Sequence, residues 1–428
     1  MDVTPLRRAA GAELEGVLRQ LERRGESDLA RVEPAVRDVL AAVRAEGDAA
    51  VRRYVAQFEQ RQPAELLIRD YGGEEALASL PPPLASALAE AAERIERFHR
   101  HQAEGSASFE YEEHGVRLGT RVRPLDRVGV YAPGGKARYP SSVLMCAVIA
   151  RVAGVREIIV ATPDAAPEVR AACHLAGVSA ILDAGGAQAV AALAYGTASV
   201  PRVDKIVGPG NIYVAAAKRL VFGEVDIDSI AGPSEILVIA DDGADAETIA
   251  ADLLSQAEHD EAAYPLLVTT SAELVGAVQA ALSRQLATLP RHGIASAALR
   301  DNGWALVVGG RDALAEVANR LSVEHVALHV REARQLANQI THAGALFIGG
   351  MTPEAAGDYV AGPSHVLPTG GAARYGSPLG VYDFVARTSL IEYSAPALAS
   401  AGPGIQALAR AEGLEAHARA VSVRTSKG

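Results

Sequence analysis

The sequence predicts a mixed α/β protein whose two halves are each built from parallel strand–helix–strand units. Three observations carry this expectation. From Val128 onward, short β-rich runs alternate with helical stretches; the alternation is punctuated at Gly232 and Pro233 and then resumes; and before about Leu125 the chain reads as charged helices instead.

The elements follow in chain order. In LARVEPAVRDVLAAVRAEGDAAVRRYVAQF apolar residues return every three or four positions, the pattern of helices that cover another surface. Then VGVY precedes the helix PSSVLMCAVIARVAG, EIIVAT precedes PEVRAACHLAG, AILDA precedes QAVAALAYG, and KIV precedes NIYVAAAKRLV. Such units favour ligands at the carboxyl ends of their strands. After VDIDSIAGPS the second half runs EILVIAD, a helix ending in SQAEHD, YPLLVTT, a helix, WALVVGG, a helix, EHVALHV, a helix and ALFIGG. From about Met351 the chain is rich in glycine and proline, as in GDYVAGPSHVLPTGG, before a helical tail ending AEGLEAHARAVSVRTSKG. The halves resemble each other in pattern, not in repeated sequence.

At 428 residues the chain has room for two or more cores. Hydrophobic residues at 49% and charged residues at 22% are ordinary globular values, and no apolar run is long enough for a membrane span. Lys plus Arg number 41 against 52 Asp plus Glu, a net charge of −11 that repels nucleic acid. The segment MDVTPLRRAAGAELEGVL lacks a secretory apolar core, so a cytoplasmic location is expected. Cys146 and Cys173 form no CxxC pair, so any metal must take nitrogen and oxygen ligands.

Several residues carry candidate chemistry. Gln256 and His259 are three apart at a helix end, close enough to converge on one ion, although the amide also lies on the apolar stripe of Ile249 and Leu253 and needs a partner in any case. Asp358 sits among turn formers, as a cap or a functional side chain. His417 follows Glu412 by five residues in a polar helix, where by itself a surface histidine is the more ordinary reading. Glu324 and His325 are adjacent in a strand; only at its start can both reach one cleft, and there they would supply a carboxylate and a near-neutral base. The turns VYAPGGKARYP, DAGGAQA and VGPGNIY each join a strand to a helix; they are phosphate seats or simply tight connections, and none is GxGxxG. Cys146, within SSVLMCAVIA, reads as a core thiol and not as an acyl carrier.

The blocks VGVYAPGG, YPSSVLM, GGAQAVAALAYGT, VDKIVGPGNIYVAAAKR, AGPSEILVIAD, LLSQAEHD, GDYVAGPSHVLPTGG and EGLEAHA, in this order, resemble the histidinol dehydrogenase family from about Arg127 to the last helix. The resemblance implies two Rossmann-like αβα domains, incomplete and doubly wound. Residues 1–22 would form an N-terminal helical segment, 23–127 with 236–375 the first domain, 128–235 the second, NAD-side domain, and 376–428 a dimer-crossing tail.

It further implies oxidation of L-histidinol to L-histidine through the aldehyde, with NAD and one zinc per subunit. Gln256, His259, Asp358 and His417 would be the zinc ligands, and Glu324 and His325 the acid–base pair. Ser234, His365 and Glu412 would bind substrate alongside Gln256, His259, His325, Asp358 and His417. Tyr131, Gln188 and Asn211 would line the NAD site. A homodimer is implied in which the tail lends Glu412 and His417 to the partner's site. Three departures stand out: Cys146 where Asn is usual, Ser364 where AGPNH is common, and SVEHVAL where APEHLEL is common. Rival readings are a metal-dependent hydrolase, a non-catalytic binding protein, and a dehydrogenase of sulfonated diols on the same scaffold.

Overall fold

The computed structural model describes residues 6–24, 29–134 and 138–426. The strands are β1 (Arg7–Ala10), β2 (Leu67–Ile68), β3 (Phe109–Glu113), β4 (Val116–Pro124), β5 (Arg127–Tyr131), β6 (Glu157–Ala161), β7 (Ala180–Leu182), β8 (Lys205–Val207), β9 (Asp226–Ile227), β10 (Glu235–Ala240), β11 (Tyr264–Thr269), β12 (Trp304–Val307), β13 (His325–His329), β14 (Ala345–Ile348) and β15 (Val385–Tyr393). The helices in the first third are α1 (Leu14–Glu22), α2 (Leu29–Glu46), α3 (Asp48–Glu59), α4 (Gly73–Ser79) and α5 (Pro82–Glu104). Next come α6 (Pro140–Val152), α7 (Pro167–Ala176), α8 (Gly186–Tyr195), α9 (Ile212–Val221), α10 (Ala246–Ala257), α11 (Ala272–Leu286) and α12 (His292–Asn302). The series ends with α13 (Arg311–Leu321), α14 (Ala333–Ala337), α15 (Glu354–Tyr359), α16 (Ala395–Ala411) and α17 (Glu415–Thr425).

Two six-stranded sheets organise the molecule. One has the order β1-β12-β11-β10-β13-β14 and is parallel throughout; the other runs β2-β7-β6-β5-β8-β9 and is parallel except where β2 meets β7. Their central strands, such as β10 and β6, are buried on both faces, as covered parallel sheets must be. On the first sheet Ile236, Val238 and Ala327 face a core built with α10, α11 and α12. Leu237, Ile239 and Leu328 face the opposite core, with α1 and α13. Period-2 alternation thus fills both layers. The expected α/β class, with two αβα units, is what the chain adopts.

Three features differ from the sequence expectation. The N-terminal segment is not wholly helical, because Arg7–Ala10 adds a parallel edge strand beside β12; residues 1–5 lie outside the described residues. Helices α2, α3 and α5, expected to share a core with 236–375, bury their apolar stripes against the sheet of 127–227. Residues 109–124, read as helical, form β3 and β4, which pair antiparallel with each other and with β15 of the tail. Phe109 and Tyr111 alternate with Glu110 and Glu112 at the strand period, a short signal the helical reading missed, and every residue of β3 is exposed.

Sequence-local chemistry sets the ends of the elements that matter most. Asp245 caps α10 by accepting the Glu247 N–H at 3.1 Å, and Asn211 caps α9 by accepting from Tyr213 and Val214 at 3.0 and 3.2 Å. Among the described residues no helix is long and apolar enough to cross a membrane.

Candidate active site

In the sheet of 127–227 the strand order reverses between β5 and β8, and the crevice there holds a cleft. It has a volume of about 860 Å³ and is lined by Tyr131, Gly134, Gly185, Gln188, Asn211 and Tyr213, among others. All lie beyond the carboxyl ends of strands, where open α/β sheets take ligands. The three residues expected at an NAD site therefore share one cleft. Tyr131 and Gln188 are buried and Asn211 is exposed. The turn DAGGAQA has its amides already occupied: the Gly185 N–H donates to Glu59 Oε1 at 2.9 Å and the Gly186 N–H to the Tyr131 hydroxyl at 2.9 Å. A carboxylate and a hydroxyl thus take the amides of this turn, as the tight-connection reading of it allows. Of VYAPGGKARYP, residues 135–137 lie outside the described residues.

A second cluster forms at the amino ends of the other sheet's central strands. Glu324 precedes β13 and His325 opens it, so the adjacent pair escapes the opposite-face rule of a strand interior. His325 Nδ1 is 3.0 Å from the Glu235 carbonyl oxygen and 3.5 Å from Glu324 Oε2. A carbonyl can only accept, so Nδ1 carries the proton and Nε2 is the nitrogen left for chemistry. Nε2 lies 3.7 Å from Glu354 Oε1. Burial alone would push the His325 imidazole down, but Glu324, Glu354 and Asp358 outweigh it and hold the pKa up at about 10.

Asp358 and Glu354 are four apart on α15 and face the same way. Helix α15 approaches β14 closely because position 357 is glycine; a Cβ there would lie 2.8 Å from the Phe347 ring. Burial, with the charge of Glu354 next, pushes the Asp358 carboxyl far up. His325, Glu354 and Asp358 offer ligand atoms all within 4.8 Å of one another. His365 Nδ1 lies 3.1 Å from the Asp358 carbonyl and 3.7 Å from its carboxylate, and burial pushes that imidazole down to about 4.

Gln256 ends α10, which packs against α15; the neighbouring Ser255 hydroxyl donates to Glu354 Oε2 at 2.8 Å. Gln256 is fully buried, and neither its Oε1 nor its Nε2 has a hydrogen-bond partner. Glu354 Oε1 is likewise buried and unpartnered. An orphaned buried amide costs roughly 1–3 kcal/mol, and crowded buried acids cost more. A cation bound among these oxygens and the imidazoles would satisfy them, so the residues present fit a metal.

Of the expected ligands, the fold brings Gln256 and Asp358 into this region. His259 lies just past α10, exposed, close enough for its charge to act on His365. His417 and Glu412 are exposed on and beside the paired helices α16 and α17. Ser234 is partly buried immediately before β10. The cluster also contains residues the sequence reading passed over: Glu354, whose spacing from Asp358 in EAAGD was a usable signal, and Glu235, whose carboxylate meets Arg24.

The loop after α15 crosses to the other αβα unit, where the Ser364 hydroxyl donates to the Met145 carbonyl at 3.2 Å. Cys146 is next to that contact and fully buried, and burial pushes its thiol up. Ser364, one departure from the family pattern, thus bonds the carbonyl of the residue that precedes another, Cys146, and the core-thiol reading agrees with the structure.

The scaffold extends beyond near relatives. An acetylating aldehyde dehydrogenase from Geobacillus thermoglucosidasius superposes with a TM-score of 0.51 at 14% identity, covering 89% of this chain and 95% of that one, a likeness of fold alone. A histidinol dehydrogenase from Elizabethkingia anophelis superposes with a TM-score of 0.92 at 34% identity, covering 99% and 98%. With this scaffold and an imidazole–carboxylate cluster, the chain is an oxidoreductase of the dehydrogenase class.

The family model described as histidinol dehydrogenase matches residues 22–425. Histidinol dehydrogenases from Syntrophotalea carbinolica and Lactiplantibacillus plantarum are 52% and 48% identical over 407 and 398 residues, covering 94% and 92% of this chain and 94% and 93% of theirs. The chain belongs to the histidinol dehydrogenase family.

Proposed function

We propose that the chain oxidises L-histidinol to L-histidine through the aldehyde, as a zinc-containing, NAD-linked, cytoplasmic homodimer at the end of histidine biosynthesis. The observation that carries this reading is the buried, unpartnered Gln256 amide beside the His325, Glu354 and Asp358 cluster. Gln256, His259 and Asp358, with His417 of the partner subunit, would hold the ion. An amide oxygen, imidazoles and a carboxylate suit zinc. Zinc, when bound, supplies a template for the substrate's nitrogen lone pairs.

Ser234, His365 and the partner subunit's Glu412 position histidinol. The carboxylates of Glu324, Glu354 and Asp358 hold the His325 imidazole protonated while their charge is unmet; with that charge offset by a bound cation, His325 would accept the hydroxyl proton at Nε2, the nitrogen left open by the Glu235 carbonyl. Glu324 deprotonates the water that attacks the aldehyde, and His325 accepts a proton again in the second oxidation. NAD, seated by Tyr131, Gln188 and Asn211, takes the hydride. With Asn211 Oδ1 engaged in capping α9, its amide nitrogen remains for the cofactor. A dimer is supported by apolar side chains left in solvent on the tail strand and helices, Ile391 at 70%, Leu408 at 70% and Val423 at 52% exposed.

The test is an assay with histidinol and NAD before chelation, after it, and after zinc is added back. Two equivalents of reduced cofactor per histidinol, lost on chelation and restored by zinc, are expected. Turnover that survives complete chelation would remove the metal from the reading, and absence of turnover would remove the substrate. Nothing in the comparisons favours the sulfonated-diol alternative.

A further inference from the structure

We propose that the buried ion pair between Arg24 and Glu235 is a positioning device for the acid–base pair, an inference that rests on the roles given above to Glu324 and His325. Arg24 follows α1, far from the site in sequence. Its Nη2 donates to Glu235 Oε2 at 2.8 Å and to the Leu321 carbonyl at 2.7 Å, and its Nη1 to the Leu21 carbonyl at 2.9 Å. Both side chains are 1% exposed.

Glu235 uses the rest of its polar atoms on the site. Its backbone N–H donates to Glu324 Oε2 at 3.0 Å, and its carboxylate Oε2 accepts the Glu324 N–H at 3.2 Å, a reciprocal exchange. Its carbonyl faces His325 Nδ1 at 3.0 Å. Its Oε1 accepts the Gly370 N–H at 2.8 Å. One residue therefore touches both members of the acid–base pair, and Arg24 fixes that residue in place. Burial pushes the Glu235 carboxyl up, opposed by Arg24. Its carboxylate partners all donate, which leaves no acceptor for a proton of its own, so Glu235 is ionised.

A buried pair of this kind stabilises a fold no better than apolar residues of the same volume. What it supplies here is geometry. Arg24 and Glu235 hold the Glu324 carboxylate in one rotamer and His325 in one tautomer, with Nε2 turned toward the substrate.

The experiment compares Glu235→Gln, the charge-neutral Arg24→Met/Glu235→Gln double variant, and Arg24→Lys, all zinc-reconstituted, with Glu324→Gln as reference. Alcohol and aldehyde oxidation are followed separately as functions of pH, and thermal midpoints are taken on metal-free protein. The double variant should keep its thermal midpoint and its KM for histidinol within twofold. Its kcat should fall at least tenfold, more in the aldehyde step, with a displaced pH profile, and Arg24→Lys should recover most of the rate. A double variant with wild-type kcat and pH profile would overturn the inference. So would a loss of kcat that merely follows a lowered midpoint and a raised KM, without recovery by lysine. If Glu324→Gln itself oxidises the aldehyde normally, the assigned roles fail instead.

Discussion

Lys218 reaches from α9 to place its Nζ 3.0 Å from the carbonyl oxygen of Gly208. The same ammonium pairs with Asp228, whose other oxygen accepts the Gly208 N–H at 2.7 Å. One buried ion pair thus grips both polar groups of a single glycine. Gly208 has φ +108°, and a Cβ there would run into the Tyr131 carbonyl, so the turn is confined to glycine. This turn delivers Asn211 to the cleft lined by Tyr131 and Gln188, the proposed NAD site.

Lys218→Met should therefore act on cofactor binding. It strands Asp228 in the core, at a cost of roughly 3–5 kcal/mol, and frees the Gly208 turn. Fluorescence titration with NAD should show affinity reduced about tenfold or more. Unchanged affinity in a variant that still folds would mean the turn keeps its place without the clamp.

Gln256→Leu separates binding from stability. The wild-type amide is buried without partners, so an apolar replacement should stabilise the metal-free protein by roughly 1 kcal/mol. Metal retention after dialysis should fall by a factor of about ten or more, because an oxygen ligand has gone. Thermal unfolding of metal-free protein and metal analysis read the two effects. A destabilised metal-free variant with full metal would contradict both halves.

Zinc itself should raise the thermal midpoint. A ligand that binds only the folded state at 1,000 times its dissociation constant stabilises by about 4 kcal/mol. Chelated and zinc-loaded samples at equal protein concentration should differ accordingly in a melting experiment. Coincident melting curves would mean that the proposed ligands Gln256, His259 and Asp358 hold no ion in the folded protein.

His99 predicts a pH effect remote from the site. It is fully buried on α5, with Nδ1 2.8 Å from the Ile95 carbonyl and Nε2 unpartnered, and burial holds its pKa below the usual value. The unfolded chain therefore binds this proton more readily than the folded one. Stability from this residue is complete above the ordinary histidine value of about 6.5 and is lost as pH falls through and below it. Between pH 7.5 and 5 the wild-type melting temperature should drop more than that of His99→Leu. Parallel declines would mean that His99 is protonated without cost.

Much of this was legible because it is local. The βαβ alternation follows from two periodicities that any window of the sequence displays, and Gln256, Asp358, Glu324 and His325 were singled out by residue type and position. The contribution of α2, α3 and α5 to the sheet of 127–227 was not legible, since an amphipathic stripe announces burial without naming its partner. Strand β1, RRAA, has no β-branched residue, and only tertiary pairing makes it a strand. Arg24 and Glu235 escaped notice for the same reason, being separated by 211 positions in the chain. Glu354 was a missed opportunity, because its helical spacing from Asp358 was in plain view.

The pairing of Arg7–Ala10 with Trp304–Val307 has a consequence for biosynthesis. As the polypeptide leaves the ribosome, the sheet of 127–227 has all its parallel neighbours within a short stretch and can close early. The opening strand must instead remain uncommitted until nearly three hundred further residues have emerged, and Arg24 waits 211 positions for its acidic partner. Maturation of the Glu324 and His325 cluster is thereby deferred to late in translation, after the half of 127–227 has already taken shape.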